Sequence, residues 1–324
     1  MFINYLNIYG YKIKIVSKKF NTDTLISDFQ YFNSTKIANY DCLVKINFNS
    51  KNSFKKKGLY LRTTNMCEVR QISFTERQMI YSINSSFVSE VRYKNFAKIK
   101  YISINTSDFE TTKDILYFIF LSISGEYLDS NKMMRLHAVS FSYNEKSFVF
   151  IGRQKVGKST IAEYFINEPG YQFFSDEITI LNLNDMKIYP FPVPIKTVNT
   201  NINCNKSRFF NEKNKIFFPN AKISPPKVLN FVFLLKRKTA LTIKIASFFE
   251  KFISFFEIVL GIGVIQMAEY LIRLNNISTI LVILKNRFLL FFTLNKKCFF
   301  ILTCSNNKNH SLNFIKLTVE NIKN

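Results

Sequence analysis

Phe148-Val149-Phe150-Ile151-Gly152-Arg153-Gln154-Lys155-Val156-Gly157-Lys158-Ser159-Thr160 is the stretch that decides how this chain folds. An apolar run of strand length enters a segment with the spacing G-x-x-x-x-G-K-[ST], and an amphipathic stretch begins at Ile161. Strand, loop and helix in that order form a phosphate-binding loop, or P-loop. Its backbone N–H groups gather at a helix N-terminus, where the helix dipole adds favourable potential for an anion. Lys158 is then placed to reach the β- and γ-phosphates of a nucleotide, and Ser159 to hold Mg²⁺ through its hydroxyl. All nine loop residues, Gly152, Arg153, Gln154, Lys155, Val156, Gly157, Lys158, Ser159 and Thr160, are candidate nucleotide contacts. The chain has only 8 glycines in 324 residues, so two of them at this spacing beside Lys-Ser are not a product of composition.

Downstream, a helix from Thr160 to about Asn167 is expected to stop at Pro169-Gly170. Tyr171-Gln172-Phe173-Phe174 follows as a strand that ends in Ser175-Asp176-Glu177. A helix of this length climbs roughly 12 Å from the loop, and the strand returns about 15 Å. Asp176 and Glu177 therefore come back to the phosphate end, where open α/β sheets bind ligands. Upstream, residues 136–142 and 147–151 read as two strands joined by the turn Tyr143-Asn144-Glu145-Lys146. If the hairpin is centred on Asn144 and Glu145, opposed residue numbers sum to 289 and His137 lies opposite Gly152.

Transfer of a phosphoryl group to a protein hydroxyl requires a proton acceptor in line with the γ-phosphate, and a carboxylate can serve. Asp176 is the candidate base. Glu177 points elsewhere if the backbone stays extended, and is the candidate metal ligand. The same two residues also fit an acid pair that serves only the metal. His137 is either a hydrogen-bonding partner for the acceptor hydroxyl or the γ-phosphate, or a structural histidine at a strand start.

Leu136-His137-Ala138, the hairpin, the loop at 152–160, Ser175-Asp176-Glu177 and Tyr189-Pro190-Phe191-Pro192 together resemble the C-terminal catalytic domain of the HPr kinase/phosphorylase family. The resemblance is closest to the short HPr-kinase-like proteins of peptide-modification clusters, some of which phosphorylate a C-terminal Ser of a lasso-peptide precursor. It covers residues 130–235 with specific motifs. It implies Asp176 as catalytic base, Glu177 as second acid, His137 as active-site histidine, and Lys158 and Ser159 as phosphate and Mg²⁺ contacts. This chain departs from the pattern in three ways. Lys155 stands where such loops commonly carry Gly, and Glu177 stands where a second Asp is usual. The later loop with which HPr kinases engage HPr has no clear counterpart, so HPr is not the expected substrate.

Composition bounds the remainder. Hydrophobic content of 47% and 36 phenylalanines exclude a disordered chain. The net charge of +23 comes from lysines spread along the whole length, with short clusters only at Lys55-Lys56-Lys57 and Lys236-Arg237-Lys238. No recognised nucleic-acid module accompanies them, so nucleic acid is not an expected partner. A positive field still favours capture of ATP or an acidic peptide. Five cysteines without paired spacing suggest neither a disulfide framework nor a zinc site. The N-terminus lacks the form of a signal peptide, and the apolar stretch 252–272 is interrupted by Glu257, Gln266 and Glu269. A cytoplasmic, soluble protein without membrane association is expected.

The expected architecture is an α/β P-loop catalytic domain over 131–324, preceded by a β-rich region over 1–130 that closes with a helix at 111–128, making the chain α+β overall. Strands are expected at 9–16, 43–48, 59–61, 97–102, 178–181, 187–189, 228–235, 277–284, 288–292 and 299–303. Helices are expected between 246 and 274, and a long loop over 199–220. His310 lies in a polar tail and is given no role. The expected function is an ATP- and Mg²⁺-dependent kinase that phosphorylates a Ser hydroxyl on a peptide or small protein. The N-terminal region is then where that acceptor, or a second copy in a homo-oligomer, docks. The alternatives are a catalytically degenerate nucleotide-binding scaffold or regulator, and plain nucleotide hydrolysis.

Overall fold

The computed structural model describes residues 1–48, 55–63, 67–73, 75–83, 86–96, 99–153, 155–197, 205–206, 214–216, 222–252, 277–295, 298–305 and 307–322. Contacts divide the chain into two compact units, one centred on Met1–Tyr127 and the other built mainly from the chain after Leu128. Helices and mixed sheets make it an α+β protein.

The first unit contains β1 (Phe2–Ile8), β2 (Tyr11–Ser17), α1 (Thr22–Leu25), a 3-10 turn (Ser27–Phe32), β3 (Cys42–Phe48), β4 (Leu59–Thr63), β5 (Cys67–Ser73), β6 (Glu76–Ile83), β7 (Ser86–Phe96), β8 (Ile99–Thr106) and α2 (Phe109–Ser130). Its strands form one eight-stranded sheet in the order β1-β2-β3-β8-β7-β6-β5-β4. The alternation seen in the sequence becomes a division between faces. Ile13, Ile15, Val44, Ile102 and Ile104 are all fully buried, while Lys12, Lys14, Lys45 and Ser103 on the opposite face retain exposure. Helix α2 is capped by Asp108, whose Oδ2 accepts from Thr111 N at 2.7 Å. Its residues Ile115, Leu116, Tyr117, Ile119, Phe120, Leu121 and Ile123 are all buried, which explains why it is apolar around its circumference.

The second unit contains β9 (Met133–Leu136), β10 (Ala138–Tyr143), β11 (Lys146–Ile151), α3 (Lys158–Phe165), β12 (Tyr171–Ser175), β13 (Thr179–Asn182), β14 (Lys187–Tyr189), β15 (Ile195–Thr197), β16 (Asn205–Lys206), β17 (Asn214–Ile216), β18 (Lys227–Val228), β19 (Phe231–Arg237), β20 (Thr242–Ile245), α4 (Ile277–Asn295), β21 (Cys298–Cys304) and α5 (Lys308–Asn321). The central sheet has the order β12-β10-β11-β19-β21-β20. Strand β11 is parallel to β19, and β19 to β21, whereas β10 is antiparallel to both β11 and β12. Strand β12 therefore runs in the same direction as β11, and the C-terminal ends of β11, β12, β19 and β21 share one edge.

The β10-β11 hairpin follows the expected register, from Tyr143↔Lys146 to Ala138↔Ile151. Asn144 and Glu145 take φ values of 46° and 64°, the pair of positive values that a two-residue hairpin turn of type I′ requires. Both faces of the sheet are buried. Val149, Ile151, Val232 and Leu234 belong to a core with Leu290, Phe291 and Leu294 of α4. Phe148, Phe150, Phe231 and Phe233 belong to the other, with Ile161 and Phe165 of α3 and Leu312 and Ile315 of α5. On that second face phenylalanines stack from strand to strand: Phe141 on Phe150 at 5.2 Å, Phe150 on Phe233 at 4.8 Å, and Phe233 on Phe300 at 5.5 Å.

Two expectations are corrected here. The strands placed at 277–284 and 288–292 are one helix, α4. Asn286, Arg287, Leu290, Phe291 and Leu294 are its buried positions, at helical spacing, and tertiary packing outweighs the local preference of its β-branched and aromatic residues. The stretch around His310 is no tail: α5 begins at Lys308, with Asn307 Oδ1 accepting from His310 N at 3.1 Å as its cap. Strand β20 was not anticipated either. Most of the loop expected at 199–220, and of the helical region up to 274, lies outside the described residues. Among the described residues no helix is long and apolar enough to cross a membrane.

An ion cluster in this unit, which begins at Leu128, joins Asp129 at the end of α2 to β9 and α4. Asp129 accepts from Arg135 Nη2 at 2.8 Å and from Arg287 Nη2 at 2.9 Å. Asn286 Nδ2 donates to the Asp129 carbonyl at 2.8 Å. All three charged residues are at most 3% exposed. Burial works to raise the Asp129 pKa, but the charges of Arg135 and Arg287 outweigh it and hold the carboxyl below the usual range.

Candidate nucleotide and phosphoryl-transfer site

Gly152 follows the last residue of β11, and its lack of a side chain is used. A Cβ there would stand 2.8 Å from Val156 Cγ1 and 3.1 Å from both Cβ and O of Leu235. The loop can thus turn tightly over the end of β19. At its far end Gly157 takes φ +110°, open to glycine but strained for other residues, and a Cβ there would meet nothing within 4 Å. Gly157 is also the N-cap of α3 and offers no side chain to the first turn. The first-turn amides of a helix have no partner within the helix, so this end is suited to an anion.

Lys158 is 7% exposed. Its Nζ donates to the carbonyls of Gly152 at 2.7 Å and Arg153 at 2.9 Å. The ammonium is thereby folded back into the concavity of its own loop, where it satisfies carbonyls and stands ready for phosphate oxygens. Ser159 and Thr160 are half-buried, while Arg153 and Lys155 are exposed. Gln154 lies outside the described residues. Lys155 adopts φ +64°. That left-handed conformation is the one glycine enters without strain, whereas a residue with a Cβ such as Lys155 holds it at a cost.

Asp176 follows β12 on the same edge as the loop. Ser140 pairs with both Val149 of β11 and Ser175 of β12, so Asp176 sits within a residue or two of the level of Gly152. Only β10 intervenes, which sets the two strands about 10 Å apart. Asp176 is 2% exposed, with both carboxylate oxygens out of contact with solvent. Beneath it, Ser140 Oγ lies 2.9 Å from Ser175 Oγ and 2.9 Å from Thr179 Oγ1, and Thr179 Oγ1 also donates to the Ala138 carbonyl at 3.2 Å. This buried hydroxyl cluster fixes the start of β10 to the end of β12. It was missed in the sequence, where the only hint is the polar residue alternating with Val139, Phe141 and Phe173 on strands otherwise apolar.

The backbone does not stay extended past Asp176. Ile178 N donates to the Asp176 carbonyl at 2.8 Å, across Glu177 at φ +65°. This is a γ-turn of the positive-φ kind, rare and strained for an L-residue. The premise that separated Glu177 from Asp176 by strand alternation is therefore replaced by a turn. His137 is not paired with Gly152 either: the ladder ends at Ala138↔Ile151, and His137 occupies the bend between β9 and β10. Its Nδ1 lies 3.1 Å from the Glu177 carbonyl. His137, Gly152 and Asp176 are nevertheless at the same edge of one sheet.

The residues present fit a nucleotide phosphate by the open face at Gly157 and the loop-held ammonium of Lys158. Among the described residues no group of three or more His, Cys, Asp or Glu is arranged to hold a metal ion. The described cysteines, Cys42, Cys67 and Cys304, are buried thiols, with burial pushing Cys42 up to about 12 and Cys304 to about 11.

No family model matches the chain, and no curated protein matches it. Among solved structures, the Hpr(Ser) kinase/phosphatase from Coxiella burnetii aligns over 35% of this chain and 78% of its own, with 15% identity and a TM-score of 0.24. A likeness of that size carries no weight for activity, and the functional conclusion rests on the residues themselves.

Proposed function

We propose that the second unit binds Mg²⁺-ATP at 152–160 and transfers its γ-phosphoryl group to a Ser hydroxyl on a peptide or small protein. The observation that carries this reading is the common edge: a strand–loop–helix with Lys158 turned into the loop, and Asp176 returned to the same edge by β12. In this reading the loop amides and Lys158 hold the phosphates, Ser159 and Glu177 hold Mg²⁺, and Asp176 is the base that favours removal of the hydroxyl proton. The bound nucleotide supplies an activated phosphoryl group, and Mg²⁺ neutralises its charge. The protein's part is then to position the hydroxyl and exclude water.

Thermal shift with Mg²⁺-ATP, followed by transfer of labelled phosphate to a pool of Ser-containing peptides, tests the proposal. Lys158→Ala should lose the nucleotide-dependent shift. Asp176→Asn should keep the shift and lose transfer by about 10²-fold or more. A shift in wild type without any transfer would favour the degenerate nucleotide-binding protein, for which the lysine in the left-handed loop position speaks. Full transfer by Asp176→Asn would remove Asp176 from the chemistry.

A further inference from the structure

Helix α4 is apolar on the side that faces away from its core as well as on the side that fills it. Asn286, Arg287, Leu290, Phe291 and Leu294 are its buried arc, and Leu281, Val282, Leu289 and Phe292 lie on the opposite one. Leu281 and Phe292 fall within about 20° of each other around the helix and about 16 Å apart along it. Among the described exposed positions of α4, Lys285 is the only polar one. The helical turn at 248–252 extends this surface: the Phe248 ring lies 6.4 Å from that of Phe291, which lies 5.4 Å from that of Phe292. Leu281, Val282, Leu289, Phe292, Phe248 and Phe249 are between 40% and 69% exposed. The three phenylalanines alone then present about 400 Å². With the aliphatic side chains added, the patch exceeds what a surface without a partner usually carries.

We propose that this face lies on an anionic lipid bilayer, with its phenylalanines and leucines entering the boundary between headgroups and acyl chains. Charge selects that occupant over a second copy of the chain. Lys285 stands on the apolar face itself. Lys244 is on the same side of the sheet, since its ladder partner Ile301 belongs to the core beneath α4. Lys251 follows Phe248 and Phe249 in the helical turn. The one acid in 242–252 is Glu250, which accepts from Lys244 Nζ at 2.8 Å and from Ser247 N at 3.1 Å. Two copies joined through this face would bring lysines toward lysines, on molecules that each carry a net charge of +23. Anionic headgroups neutralise the same lysines, whose stems lie along the apolar surface while the ammonium groups reach outward. The interrupted apolar stretch in the sequence bears on crossing a bilayer, and among the described residues no helix can cross one. Lying on a bilayer is a different demand, met by one apolar face with a basic rim. Binding of this kind is independent of what the loop at 152–160 does.

Flotation of the full chain with lipid vesicles tests this. Vesicles of phosphatidylcholine mixed with phosphatidylserine should carry the protein upward, vesicles of phosphatidylcholine alone should carry far less, and added salt should narrow the difference. No binding to the mixed vesicles, or equal binding to both kinds at low salt, overturns the proposal.

Two variants locate the contact. Phe249→Ser combined with Phe292→Ser should weaken binding to the mixed vesicles by about tenfold or more, and Lys285→Gln by about fivefold. Both should unfold at the wild-type temperature without lipid, because the side chains removed are exposed. Undiminished binding by both variants would put the contact elsewhere and overturn the proposal. Two further results would give the face to protein and overturn it as well. A dimer seen by sedimentation equilibrium without lipid, and dissociated by the double phenylalanine substitution, would make a second copy the occupant. A fall in Tm of about 5 °C or more in that variant would show that the chain covers the face itself.

Discussion

Replacing Asp129 by Ala should destabilise the second unit more than any substitution in the loop at 152–160. Its carboxylate is the shared partner of two buried guanidiniums, with Arg135 and Arg287 donating at 2.8 and 2.9 Å, and it also accepts from the Arg135 backbone N at 3.1 Å. Truncation leaves two cations 3% and 1% exposed without that carboxylate, in a site where water cannot replace it. Breaking a buried ion pair from one side costs about 3–5 kcal/mol. For a unit of this size that corresponds to a fall in Tm of about 6–20 °C. Heating followed by circular dichroism measures it. The triple variant Asp129→Leu, Arg135→Met, Arg287→Met should recover much of the loss, because removing all the charges also removes their desolvation penalty. A fall of less than about 2 °C in Asp129→Ala would refute the reasoning, since it would mean that the guanidiniums find water or other acceptors at no cost.

The same carboxylate predicts a pH dependence: its folded pKa lies below the unfolded value, so its contribution is fully present above the usual carboxylate range and is lost as pH falls through the folded value. Urea midpoints measured downward from neutrality should show wild type losing more stability than Asp129→Asn at the acid end, and parallel curves would contradict the assignment. At Lys155, with φ +64°, Gly should be tolerated with stability changed by no more than about 1 kcal/mol, while a β-branched Val should cost about 1–2 kcal/mol. Thermal unfolding separates the two, and a neutral Lys155→Val would show that the loop relaxes out of the left-handed conformation.

The loop at 152–160 was legible because it is local. Its glycines, Lys158 and Ser159 are contiguous, and the strand before and the helix after are coded by neighbouring residues. The hairpin register was equally legible, since Asn144 and Glu145 centre a two-residue turn and the ladder follows from there. The return of Asp176 to the loop edge followed from the length of one helix and one strand. In contrast, α4 was read as strands because Ile, Val and Phe favour sheets when nothing opposes them. What opposes them lies far away in sequence: Asp129, which binds Arg287 and receives Asn286 at its carbonyl, and the sheet face that takes Leu290 and Phe291.

By itself, then, the sequence determined the elements whose partners are near neighbours: the loop, the hairpin and the strand that carries Asp176. Tertiary structure alone decided the γ-turn at Glu177, the approach of the His137 ring to its carbonyl, the hydroxyl cluster of Ser140, Ser175 and Thr179, and the helical state of 277–295. Each of these depends on a contact between residues brought together by sheet pairing or helix packing. A positive φ or a ring nitrogen facing a carbonyl has no local pattern that composition or periodicity can express.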